Sequence, residues 1–178
     1  RKRLAAFGHL AGVRSYDFVH TVCASSYVDL ARLRRYVRAL PTWSGVYHGS
    51  LLVHRETGIP FVSGASFLLS RDIAADLGRR AAEIVAGSPD DVPDDVVIGR
   101  AVAEAHSDRP MAEIASRIVA GTRATDDQTF VVPYGVASED FVVVPESRQV
   151  PTKPSYHFHF HAGRTWQMEN FHRRFFLP

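Results

Sequence analysis

The sequence predicts an α/β protein with a mixed central sheet and helices on both faces, and three observations lead there. Short runs rich in β-branched and aromatic residues, "YDFVHTV", "GVYHGSLLV" and "PFVSGASFLLS", have the length and composition of strands. Between and after them stand "YVDLARLRRYVRAL" and "SRDIAADLGRRAAEIVAG", where apolar residues recur every three or four positions, as on one face of a helix. With 46% hydrophobic and 22% charged residues among 178, the chain can bury a core, and residues 1–178 are expected to form one domain.

Each element has a local reason. Residues 1–13 read as a helix with Leu4, Phe7, Leu10 and Ala11 on one face. Phe18 to Val22 fits a buried, central strand. In the next helix Val28, Leu30, Leu33, Tyr36, Val37 and Leu40 keep helical spacing, Ser26 with Asp29 resembles a capping box, and Pro41 stops it. The two following strands each carry a glycine where backbone bends or approaches something closely. Ser70 is placed to cap a helix buried through Ile73, Leu77 and Ile84, which Gly87 ends. Pro93 then opens a helix running from Asp94 to Ala105. Beyond residue 106 the pattern weakens, with β-rich pieces at 112–119, 129–132 and 140–144. The alternating "YHFHFHAGR" reads as a strand, and "TWQMENFHRRFF" as a terminal helix.

Charge and cysteine content exclude several classes. Twenty-one basic residues against 19 acidic give a net charge of +2, too balanced to argue for nucleic acid. Local basic excess is confined to the first 14 residues and to "RLRRYVR" at 32–38, where a solvated helix face is the ordinary explanation. Cys23 is the sole cysteine, so no intrachain disulfide can form and a cytoplasmic setting is expected. No apolar run approaches the roughly 18 residues needed to span a bilayer. Arg1 in place of methionine leads us to expect a piece of a longer protein.

Familiar cofactor and nucleophile signatures are absent: there is no glycine-rich phosphate loop, no G-x-S-x-G, and no C-x-x-C or H-E-x-x-H. His157, His159 and His161 share one side of their strand, yet same-face positions lie about 6.5–7 Å apart, too far for three imidazoles to meet one ion comfortably. A single histidine facing the site is the sharper expectation. "VPDDVVIG", residues 92–99, puts Asp94 and Asp95 in the first turn of a helix. There they oppose the helix dipole, and one of them can also serve as a general base.

Taken in order, "YDFVHTVCASSYVDLARLRRYV", "YHGS", "PFVSGASFLLSRDIA", "PDDVVIGRAV" and the late histidine strand resemble the C-terminal part of a GT-A glycosyltransferase of the Fringe and β-1,3-galactosyltransferase type. The likeness covers roughly residues 1–110 plus the histidine strand, and its most specific part is "SGASFLLSRD" followed about 30 residues later by "PDDVVIG". It implies a GT-A-like sheet whose N-terminal nucleotide-binding half is missing from this chain, to be supplied by an upstream segment or a partner chain. It further implies inverting transfer of a sugar from a nucleotide-sugar to a carbohydrate hydroxyl, with a peripheral membrane contact among the expected associations and no nucleic acid. On that resemblance Asp95 is the general base and Asp94 its neighbour. Ser63 and Gly64 form a close-approach turn against sugar, Tyr47 and Gly49 line the acceptor side, and His159 contacts substrate. The chain departs from the family at Cys23-Ala24-Ser25, where family members usually carry acids that hold Mn²⁺. Hard divalent ions prefer anionic oxygen ligands, so no metal site is expected there. A catalytically degenerate module that binds sugar or a protein is the alternative that this departure leaves open.

Overall fold

A long hairpin organises the chain. Tyr47–Val53 (β3) and Pro60–Ser70 (β4) pair antiparallel, and β4 pairs on its other edge with Phe18–Val22 (β1), giving the order β1-β4-β3. A second small sheet joins Ser26–Val28 (β2) to His157–His159 (β5), also antiparallel. The computed structural model describes residues 1–13, 15–24, 26–40, 43–107, 110–113, 115–116, 157–159 and 173, without the side chains of residues 50, 51 and 157–159. The protein is thus mixed α/β with a small antiparallel sheet and helices. Every described strand pair is antiparallel where a mixed sheet was expected. β4 takes the centre because, at 11 residues, it offers an edge to each neighbour. β1 therefore flanks the described sheet and is not its middle strand.

Cross-strand partners share a face of a sheet, and the register divides this one cleanly. Val19, Leu69 and Tyr47 lie on one face with Phe67. They pack against Leu4 and Phe7 of Lys2–Leu10 (α1), Ile73 and Leu77 of Arg71–Arg79 (α3), Ile84 of Ala81–Ala86 (α4), and Val97, Ile98 and Val102 of Asp94–His106 (α5). His20, Leu68 and His48 lie on the opposite face. Leu30–Ala39 (α2) covers that side, with Leu68 and Val46 packed beside Leu40, Tyr36 and Val37. Helices on both faces were expected and are observed.

Local details differ from the sequence reading where tertiary contacts compete. Ser26 belongs to β2. The cap of α2 is Asp29, whose side chain accepts the Arg32 N–H at 3.0 Å. Ser70 stands at the N-cap of α3 but its hydroxyl accepts the Val46 N–H at 2.9 Å instead of a helix amide. The helix expected to run unbroken from Ser70 to Gly87 is interrupted at Arg80. A Cβ on Gly78 would lie 2.6 Å from the Phe7 carbonyl oxygen, so α1 and α3 cross nearly backbone to backbone just before the break. Residues 111–113 and 115–116 are helical where a strand piece was expected. The pieces at 129–132 and 140–144 and most of the terminal helix lie outside the described residues. Among the described residues no helix is long and apolar enough to cross a membrane.

Candidate functional site

The small-residue stretch Ser63-Gly64-Ala65-Ser66 lies where β4 leaves the ladder with β3. Gly49 pairs with Phe67 and Leu51 with Val62, so residues 63–66 of β4 face Ser50 alone. Such a bulge frees backbone groups that must bond elsewhere, and groups from four other positions meet them. The Gly64 N–H donates to Asp95 Oδ2 at 2.7 Å, and the Gly64 carbonyl accepts from Arg3 Nη2 at 2.7 Å. The Ala65 carbonyl accepts the Cys23 N–H at 2.9 Å and the Ser26 hydroxyl at 3.2 Å. Within the bulge, the Ala65 N–H reaches Ser63 Oγ at 3.3 Å.

Position 64 is crowded by two side-chain ends. A Cβ there would stand 2.8 Å from Arg3 Nη1 and 2.9 Å from Asp95 Oδ2. Arg3 completes the arrangement by pairing with Asp94 Oδ1 at 2.6 Å, while its guanidinium lies 5.6 Å from the centre of the Phe67 ring. The two acids thus have different duties. Asp94 is bound to a cation; among the described residues Asp95 Oδ1 takes only the neighbouring Val96 N–H, at 3.1 Å, and Oδ2 only Gly64. A carboxylate oxygen has two acceptor lobes, and the half-buried Asp95 therefore retains capacity for a hydroxyl. α5 can deliver both acids because it is tightly seated: Gly99 packs against Phe61, with its Cβ position 2.6 Å from Phe61 Cα.

The structure brings the remaining expected residues to varied places. Gly64 meets Asp95 directly and Asp94 through Arg3, whereas Ser63 Oγ accepts the Ala65 N–H inside the bulge. His159 pairs in register with Ser26, so the backbone of the histidine strand arrives beside the Cys23–Ser26 turn that bonds Ala65. Tyr47 is 2% exposed; its hydroxyl accepts the Val62 N–H at 3.1 Å and its ring meets Phe67 edge-on. Gly49 is buried with a φ of +154°, and a Cβ there would run into Val62 and the Ser66 carbonyl. In this structure both hold the hairpin together from within the core.

Cys23 Sγ lies 3.1 Å from Ser26 Oγ. Among the described residues no three His, Cys, Asp or Glu side chains gather to hold a metal ion. A thiol and a hydroxyl do not suit a hard divalent cation, so Cys23 and Ser26 do not fit Mn²⁺.

A second polar cluster escaped the sequence reading. Beneath α2, His20 Nε2 lies 2.7 Å from the Ser66 hydroxyl, and His48 Nδ1 lies 3.0 Å from the Tyr36 hydroxyl, with the two rings stacked at a tilt. Burial pushes His20 down to about 4. Burial, reinforced by the charge of His20, pushes His48 down to about 3. Both imidazoles are neutral at physiological pH. Their shared partner Leu68 is apparent only once the register is known, though a histidine inside each of two apolar runs was the available signal.

No protein-family model matches the chain, and no curated protein matches it.

Proposed function

We propose that the chain carries the acceptor-side part of an inverting glycosyltransferase with a GT-A-like sheet, acting on a nucleotide-sugar donor and a glycan acceptor. One observation supports the reading above the others: Asp95 and Gly64, the hearts of the two motifs that carry the resemblance, meet at 2.7 Å although they are 31 residues apart. In the reaction an acceptor hydroxyl binds at the open lobe of Asp95. Its oxygen attacks the anomeric carbon while the bond to the nucleotide diphosphate breaks, and its proton passes to the carboxylate. Gly64 fixes the rotamer of the base, and Arg3 compensates the charge of Asp94 so that two acids can stand side by side.

The test is transfer from a panel of nucleotide-sugars to simple glycosides, with product configuration read by NMR. Asp95→Asn removes the basic lone pair but keeps the shape, and should lower the rate about 10²- to 10⁴-fold. Retained activity in that variant would assign the base elsewhere. The absence of carboxylates at Cys23-Ala24-Ser25 favours a second reading, a sugar-binding module without turnover. Saturation-transfer NMR signals from a glycan, with no transfer from any donor, would support it.

A further inference from the structure

The outer side of α2 is not explained by the site, and it has a definite chemistry. Arg34, Arg35 and Arg38 are all exposed, and their i,i+3 and i,i+4 spacing puts them on one side of the helix. Among the described residues no carboxylate pairs with any of the three; the nearby Asp29 is taken by Arg32 at 3.1 Å. Leu30, one turn before Arg34 on the same ridge, is 72% exposed. Past the other end of the helix Trp43 is 53% exposed, held with its ring edge-on to Phe18 at 5.9 Å. The inward side of α2 packs through the half-buried Tyr36 and Val37 beside Leu68 and Val46. The helix therefore presents three exposed arginines with a bare leucine at its first residue, and a bare tryptophan stands three residues beyond its C-cap.

We propose that these residues form a docking surface for a lipid bilayer bearing anionic phospholipids. A solvated charged face explains three arginines but gives no reason to leave a leucine and a tryptophan in water at its two ends. A nucleic-acid surface would use the arginines but has no place for an aliphatic side chain on the same ridge. A bilayer surface takes all five. Guanidinium groups meet headgroup phosphates, tryptophan seats at the headgroup level, and leucine enters the acyl boundary. The overall charge is only +2, so the attraction is local to this helix and not a property of the whole surface. The proposal does not depend on the transferase reading.

Cosedimentation with phosphatidylcholine vesicles containing 30% phosphatidylglycerol, against pure phosphatidylcholine vesicles, tests it. The protein should sediment with the anionic vesicles alone and be released by 0.5 M NaCl. Each arginine near such a surface is worth about a fivefold gain in partitioning. Combined Arg34→Gln, Arg35→Gln and Arg38→Gln should therefore lower binding about 100-fold, with the circular dichroism of the parent. The corresponding triple lysine variant keeps the charge and should bind nearly as the parent does, and Trp43→Ala should weaken binding with the charge unchanged. Equal sedimentation of the parent and the glutamine variant would overturn the proposal, as would no sedimentation of the parent. Binding to a DNA duplex with none to vesicles would assign the arginines to another polyanion and overturn it as well.

Discussion

Acid should unfold this protein through the two histidines beneath α2. In an unfolded chain a histidine titrates near 6.5, whereas burial holds His20 at about 4 and His48 at about 3 in the fold. Below pH 6.5 the unfolded state binds protons that the native state refuses, so stability present above 6.5 is lost as pH falls toward those lower values. At pH 5 each group lies about 1.5 pH units below its unfolded midpoint and is still neutral in the fold. The loss is therefore about 2 kcal/mol per histidine, or about 4 kcal/mol for both. That is a large share of the 5–15 kcal/mol typical of a domain. Urea unfolding at pH 8, 6.5 and 5, at constant ionic strength, measures it directly. Asp72 and Asp76, whose carboxyls are held below their usual range, act in the same direction only at still lower pH and do not confuse this window. Replacing His20 and His48 together by glutamine should flatten the curve between pH 8 and 5 by about two protons' worth of slope. Should the double variant keep the slope of the parent, the imidazoles are hydrated and protonated in the native state and the reasoning fails.

Further expectations concern the bulge and its supports. Gly49→Ala forces a side chain into a left-handed backbone and against Val62 and the Ser66 carbonyl, and should cost about 1–3 kcal/mol, read as a lowered urea midpoint. Arg3→Ala takes the guanidinium donor from the Gly64 carbonyl and from Asp94 Oδ1 and should destabilise by about 1–3 kcal/mol. Arg3→Lys supplies one point charge where two forked contacts are made, so its melting temperature should fall between those of the parent and the alanine variant. Gly64→Ala meets only the far ends of two flexible side chains; on the proposed transferase reading, transfer should fall much further than the melting temperature, and the reverse ranking would show the bulge to be structural alone.

Strand and helix identities were legible wherever one element's own pattern decided them. The apolar residues of α3 and α5 feed one core, and the apolar runs of β3 and β4 are buried on both faces of the sheet. What the sequence concealed depends on partners distant along the chain. Ser70 and Ser26 look like helix caps until Val46 and Ala65 engage their hydroxyls. The break at Arg80 follows the close crossing of α1 at Gly78, which no helical periodicity registers. Asp95 and Gly64 were singled out from sequence, but Arg3, which ties Gly64 to Asp94, sits 61 and 91 residues from its partners and looks like one more surface base. The His20 and His48 pair was hidden for the same reason.

The bulge at Gly64 also supplies a clock for the motions of the molecule. Its amide is not held by a neighbouring strand but by a side chain at the first turn of α5, and its carbonyl by a side chain on α1. Solvent can exchange that one hydrogen only when the start of α5 draws back from the sheet. Amides within β1 and β4, bonded strand to strand, must wait for those strands themselves to part. The lag between the Gly64 amide and its neighbours in deuterium uptake thus reports how often the helix carrying Asp94 and Asp95 lifts off while the rest of the protein stays folded.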